Sequence, residues 1–264
     1  MTKWEIKKTG TLKNLKNTIL IEGLPGIGNV GKIAADFIVE EIKAKKVYDL
    51  FSNSFPHSVF VNEDNLIDLP TISIYHKKIK DKDILFLVGD IQPSEEETCY
   101  EFCDNILDIA SETKCKEIVT LGGIGLHSEP KKPKVYATGY NKKTVKDFIK
   151  STEIHEKLFG VVGPIIGVSG LLVGLAQKKK IDAVALLAET SANPIHIGIK
   201  GSKELIEILN KQYSLGIDLK ELKREIELIE KDALMRSEQM EEVTKSSALK
   251  KLQKKAGEPV DYIG

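Results

Sequence analysis

The sequence predicts an α/β protein, a mostly parallel sheet with helices on both faces, followed by a C-terminal helical arm. Three observations predict it. Short apolar runs closed by turn residues alternate with segments of helical spacing as far as Tyr213, the order that parallel strands and crossover helices require. "DAVALLAE" (182 to 189) carries the unbroken apolar core of a strand covered on both sides. Beyond Gly216 the pattern gives way to a single apolar helical seam.

In chain order the predicted strands are 18 to 22, 46 to 51, 71 to 78, 83 to 90, 117 to 123 and 182 to 189. The predicted helices are Val30 to Ala44, Ser94 to Thr113, Lys142 to Ser151, Ser169 to Lys178 and Ser202 to Tyr213. Pro93 and Ser94 followed by Glu95 to Glu97 mark a helix start, with carboxylates in the first turn where the macrodipole favours them. "LFGVVGPIIGVSGLLVGLA", from Leu158 to Ala176, has no charge and the length of a membrane span. Its early glycines and Pro164 instead predict a loop and then a short buried helix. From Leu219, the positions Leu222, Ile226, Ile229 and Ala233 follow steps of three and four, one seam that a fold or another subunit must cover. The expected organisation is a core domain over 1–217 and an arm with an extended tail over 218–264.

Composition narrows the function classes. Lys plus Arg and Asp plus Glu both number 39 in 264 residues, so no net field gathers nucleic acid or an anionic membrane. Cys99, Cys103 and Cys115 are an odd set without a C-x-x-C pair, which indicates a reducing cytoplasm. The histidines His57, His76, His127, His155 and His196 are scattered and lack metal-ligand spacing. No metal, cofactor or catalytic set is expected.

One stretch tests that expectation. "GLPGIGNVGK" fits G-x-G-x-x-G through Gly26, Gly28 and Gly31, and Gly26 to Lys32 also fits G-x-x-x-x-G-K. The second pattern lacks the hydroxyl that holds magnesium, because Ile33 follows the lysine. The first needs an acid about twenty residues on; Asp49 is near that distance, but inside a predicted strand and not at its end. A helix N-terminus still attracts anions, so Gly26, Gly28 and Gly31 stand as a candidate anion-binding turn. Loops "GLPGIG", "GDIQPSEEE", "GGIGLH" and "ETSANP" leave the strand ends where α/β sheets place ligands. Glu189, Thr190 and Ser191 are the enzymatic candidates there, and the alternative function is a nucleoside or phosphate-ligand enzyme using that cleft.

"EGLPGIGNVGKIAADFIVEE", "GDIQPSEEETCYEFCDNILDIA", "EIVTLGGIG", "GVSGLLVGLAQKKKIDAVALLAETSANP" and "LKELKREIELIE" occur in the order found in the proteasome assembly chaperone family, which has archaeal members, and the chain resembles that family over nearly its whole length. The resemblance implies a three-layer α/β/α sandwich like the nucleoside phosphorylase class, no enzymatic activity, and a homo-oligomer. It also implies tails that meet 20S proteasome α-subunits, or a related protein partner. The partner-binding tail would be Tyr262, Ile263 and Gly264, and the oligomer seam Leu222, Ile226 and Ile229. In the family's docking tail Tyr stands next to last; here it stands one position earlier. That shift displaces the terminal carboxylate by roughly 3.3 Å along an extended chain.

Overall fold

A computed structural model describes residues 4–128, 130–150, 152–155, 157–220 and 224. Residues 1–217 make one compact unit and 218–264 a second. Leu222, Ile226, Ile229, Tyr262, Ile263 and Gly264 lie outside the described residues.

The first unit is built on an eight-stranded sheet. Its strands are β1 (Trp4–Lys8), β2 (Thr18–Gly23), β3 (Lys45–Ser52), β6 (Ile72–Ile79), β7 (Lys82–Gly89), β8 (Cys115–Leu126), β9 (Val135–Thr138) and β10 (Asp182–Ser191). They lie in the order β1-β3-β6-β7-β2-β8-β10-β9, and β4 (Phe60–Val61) and β5 (Ile67–Asp68) form a separate hairpin. The helices are α1 (Val30–Glu41), α2 (Glu96–Glu112), α3 (Lys142–Ile149), α4 (Val168–Ala176) and α5 (Ile199–Tyr213). Helices α2 and α4 pack together on one face, and α1 packs with α5 on the other.

The sheet is mixed, which corrects the expectation of a mostly parallel one. Only β2–β7, β2–β8 and β8–β10 are parallel; β1–β3, β3–β6, β6–β7 and β9–β10 are antiparallel. The cause is local. Between Ile79 and Lys82 only Lys80 and Asp81 intervene, with Lys80 in the left-handed region at φ 55°. So short a connection makes a hairpin, whereas parallel strands need a crossover of a dozen residues or more. Helix α2 begins at Glu96 with Glu95 and not Ser94 at the cap position; Glu96 and Glu97 occupy its first turn. The uncharged run over 158–176 divides as its glycines indicated, a loop and then α4, and no helix among the described residues is long and apolar enough to cross a membrane.

Alternation along the central strands fills both faces. Leu20, Leu85, Leu87 and Ile118 meet Phe102 and Ile106 of α2 and Leu172 of α4 in one continuous core. Trp4 joins that core from the edge strand, its ring 4.7 Å from Phe102 and 5.4 Å from Phe55. On the opposite face α1 approaches the sheet backbone directly. A Cβ on Gly31 would stand 2.7 Å from the carbonyl carbon of Leu121 in β8, and one on Gly23 would meet the Gly31 carbonyl. Only glycine permits this approach.

Within the core, at the end of β2, lies Glu22. It is fully buried; one carboxylate oxygen accepts a hydrogen bond from Leu24 N at 3.0 Å, and the other has no hydrogen-bond partner. Burial pushes its pKa from 4.5 up to about 7, against the lowering effect of the Leu24 bond.

Three substitutions probe this packing. Gly31→Ala forces the backbone apart and should cost about 1–3 kcal/mol, lowering Tm by roughly 2–4 °C for each. Gly26→Ala, at an extended φ of −160° with nothing within 4 Å of the added carbon, should leave Tm nearly unchanged. For Glu22 the sign is set by a raised folded value. Its stability contribution is fully present below 4.5 and is lost as pH rises through about 7. Glu22→Gln should therefore raise stability by on the order of 2–3 kcal/mol at pH 8, with the gain vanishing near pH 4, as measured by urea denaturation across pH.

Candidate functional site

The exits of β2, β7, β8 and β10 stand at one end of the sheet, where α/β proteins place their ligands. At the β2 exit, Gly28 is left-handed at φ 61° and its carbonyl accepts a hydrogen bond from Gly198 N at 2.8 Å. Asn29, also left-handed at φ 52°, donates its N–H to Gly26 O at 2.9 Å. Thr190 of β10 fills the space beside both glycines; a Cβ on Gly28 would come within 2.9 Å of its Oγ1. Two of the three motif glycines thus have packing reasons: Gly31 for the sheet and Gly28 for Thr190 and the loop before α5.

The charged partners that a phosphate site would need are engaged elsewhere. Lys32 Nζ donates to Asp36 Oδ2 at 2.8 Å and to Gly89 O at 3.0 Å. Asp49, the candidate ribose acid, sits in β3 with β6 and β7 between it and β2. It accepts from Ser73 Oγ at 2.8 Å and pairs with Lys46 at 2.9 Å.

Two of the three enzymatic candidates at the β10 exit also have structural partners, while Thr190 Oγ1 is buried with no hydrogen-bond partner. Glu189 accepts from Lys134 N at 2.9 Å and from Tyr136 Oη at 3.1 Å, which ties β9 to the end of β10. Burial and the Glu189 carboxylate push the Tyr136 hydroxyl above its ordinary pKa. Ser191 Oγ accepts from Asn193 N at 3.2 Å and closes a turn. His76 pairs with Asp83 at 2.8 Å, four strand positions from β10. The three cysteines are buried and free, and no group of His, Cys, Asp and Glu suited to a metal occurs among the described residues.

Two residues that sequence reasoning passed over bind this end together. Gln92, after β7, donates Nε2 to Pro25 O at 2.7 Å and accepts Val168 N at 3.2 Å, joining the glycine turn to the start of α4. Glu22 lies beneath, at the end of β2. A Gln in "GDIQPSEEE" carries no signal of its own; only the fold reveals its reach.

Large apolar side chains stand exposed at this end among charged and polar ones. Among the described residues, every exposed large hydrophobic except Ile6 and Tyr100 belongs to the β4–β5 hairpin or to a connection at the carboxyl end of the parallel strands. Val59, Val61, Ile67 and Leu69 project from the β4–β5 hairpin, beside the end of β7, as the pairing of Ile72 with Gly89 places it. Phe159, Val161, Ile166, Ile195 and Ile197 surround the ends of β8 and β10, with Ile27 between the two groups. A groove of about 580 Å³ between α2 and α4, lined in part by Tyr100, Ile165, Ile166 and Leu171, adds to this surface. Apolar loops without convergent polar groups suit contact with another polypeptide better than capture of a small polar molecule.

Comparison with known proteins places the chain. It is similar to Methanocaldococcus jannaschii MJ1210, an uncharacterized protein, at 31% identity over 225 residues, 85% of this chain and 84% of the relative. Among solved structures it resembles Pyrococcus furiosus PbaB, an archaeal proteasome activator, with a TM-score of 0.79 and 27% identity over 90% of this chain and 99% of that one. Pyrococcus furiosus PbaA, an archaeal homolog of proteasome-assembly chaperone, shares the fold at a TM-score of 0.72 and 24% identity, covering 93% and 97%. The PAC2 family model matches residues 20–234, beginning within the buried strand β2. The chain belongs to the PAC2 family.

Proposed function

We propose that this PAC2 protein is a non-enzymatic, cytoplasmic, homo-oligomeric chaperone-like protein that binds 20S proteasome α-subunits or a related protein. One observation carries the reading: at the strand ends Glu189 and Ser191 are hydrogen-bonded into the fold, Thr190 is buried against glycines, and large apolar side chains stand exposed. The likeness to PbaB supplies the partner class. In this reading the body is a phosphorylase-class sandwich whose ligand end has become a contact surface. The arm, 218–264, buries Leu222, Ile226 and Ile229 between subunits, and the tail at Tyr262, Ile263 and Gly264 reaches the partner. Repetition of tails in the oligomer raises their effective concentration, so weak single contacts add up to firm binding.

Binding to isolated 20S core particles, followed by co-sedimentation, tests the reading: the full chain should sediment with the particle, and removal of 261–264 should weaken that association. Failure of the full chain to bind contradicts it. Deletion of 218–264 should lower the oligomer mass in light scattering, and an unchanged mass would remove the arm from the mechanism. A panel of nucleosides and nucleotides should leave Tm unmoved, since only a ligand that selects the native state raises it; a shift abolished by Gly28→Val would restore the enzyme reading.

A further inference from the structure

The apolar rim at the strand ends is divided into two unlike halves. One is the hairpin of β4 and β5. Phe60 pairs with Asp68 and Val61 with Ile67, so strand alternation sets Val59, Val61, Ile67 and Leu69 on one wholly aliphatic face. Val61 is 70% exposed and Ile67 69%. Strands of two residues in an isolated hairpin are marginal in water, and such a face calls for a cover. Its charges are all of one sign. Glu63, Asp64 and Asp68 are exposed, and between Lys46 and Lys77 there is no Lys or Arg.

The other half surrounds the ends of β8 and β10. Phe159 is fully exposed and Ile195 88% exposed, and Val161, Ile166 and Ile197 extend the surface. Lys157 is the sole charge between 157 and 167. Exposed Lys131, Lys132 and Lys134 run along the same flank, held there because Lys134 O accepts from Glu189 N and Val135 O from His155 N. One half is therefore aliphatic with an acidic tip, the other apolar with a lysine margin.

From β6, where the hairpin ends, to β10 is four strand positions, about 19 Å at the usual spacing. The halves of one copy thus sit side by side, facing the same way. Two copies placed end to end about a two-fold axis would bring each hairpin onto the lysine-margined half of the other. A stable interface takes roughly 800 Å² per partner, more than the 300–600 Å² of the largest patch on a typical monomer, so both halves have to be covered together. The chain's balanced 39 and 39 charges add no net repulsion between copies.

We propose that the occupant of this rim is a second copy of the chain, the hairpin 59–69 of each packing on the 157–167 and 195–197 surface of the other. The inference deepens the self-association in the proposed function and rests on it, but assigns it a face separate from the arm. Cys99, Cys103 and Cys115 are buried, so cysteines introduced on the surface react alone. Full-length Ile67→Cys and Ile195→Cys proteins, each checked for wild-type Tm, are treated with a short bis-maleimide linker singly and as an equal mixture.

A cross-linked dimer should form in the mixture and in neither protein alone, and Glu63→Lys with Asp64→Lys in the hairpin copy should cut its yield several-fold. Absence of a cross-link in the mixture, or a dimer from Ile67→Cys alone, overturns the proposal. So does a yield indifferent to the charge reversal. Light scattering separates the two levels: a monomeric full chain defeats the self-association reading itself, whereas an oligomer without the mixed cross-link defeats only this face.

Discussion

The backbone contact between α1 and the sheet is the constraint on which the working end of the molecule depends. Gly23 and Gly31 let the helix lie against β2 and the Leu121 carbonyl of β8 with no side chain between. That depth fixes the turn over 24–29, and the turn fixes its neighbours. Gly28 O receives Gly198 N and so positions the start of α5, while Pro25 O receives Gln92 and so positions the start of α4. A nucleotide-like glycine pattern therefore has packing reasons of its own. Close helix–strand packing is one of the tasks glycine performs in that motif, and here it is the task the geometry displays.

At the same end the candidate catalytic groups serve the fold. A catalytic site keeps its acid, base or nucleophile available to a substrate. Here Glu189 holds a strand edge, Ser191 closes a turn, Lys32 holds Asp36 and the end of β7, and Thr190 packs between two glycines. Glu22, the carboxyl with the most displaced pKa at this end, lies under the surface with no access to solvent. Its effect is on stability and is felt as a penalty that grows from mildly acid to neutral pH. The loops above it present isoleucine, valine and phenylalanine to water, a cost that contact with another polypeptide relieves.

Much of the fold was legible because the buried strands and amphipathic helices carry strong periodic signals. All six predicted strands and five predicted helices occur, with ends displaced by no more than a few residues. Strand β1 escaped because it is a five-residue edge strand with only Trp4 buried, too short for its alternation to stand out. Strand β9 has four residues between "KKPK" and a glycine, too few for a period. The mixed character of the sheet was available in the short "KDKD" interval, which is too brief for a crossover, but alternation elsewhere outweighed it. The site was less legible. Asp49 fell at a plausible sequence distance, yet sequence distance does not report that two strands intervene. Gln92 and Glu22 are single polar residues whose importance exists only through partners distant in the chain. The hairpin over 59–69 is absent from the predicted elements, since its aliphatic face appears only once Val61 is paired with Ile67.

In the proposed function the carboxyl end of the sheet is a protein-contact surface. Its most direct test is amide hydrogen exchange on the full chain, compared between dilute and concentrated protein. Slowed exchange confined to 59–69, 157–167 and 193–198 at high concentration is the expected result. Unchanged exchange in all three segments, or protection there only when a small metabolite is added, would contradict the claim.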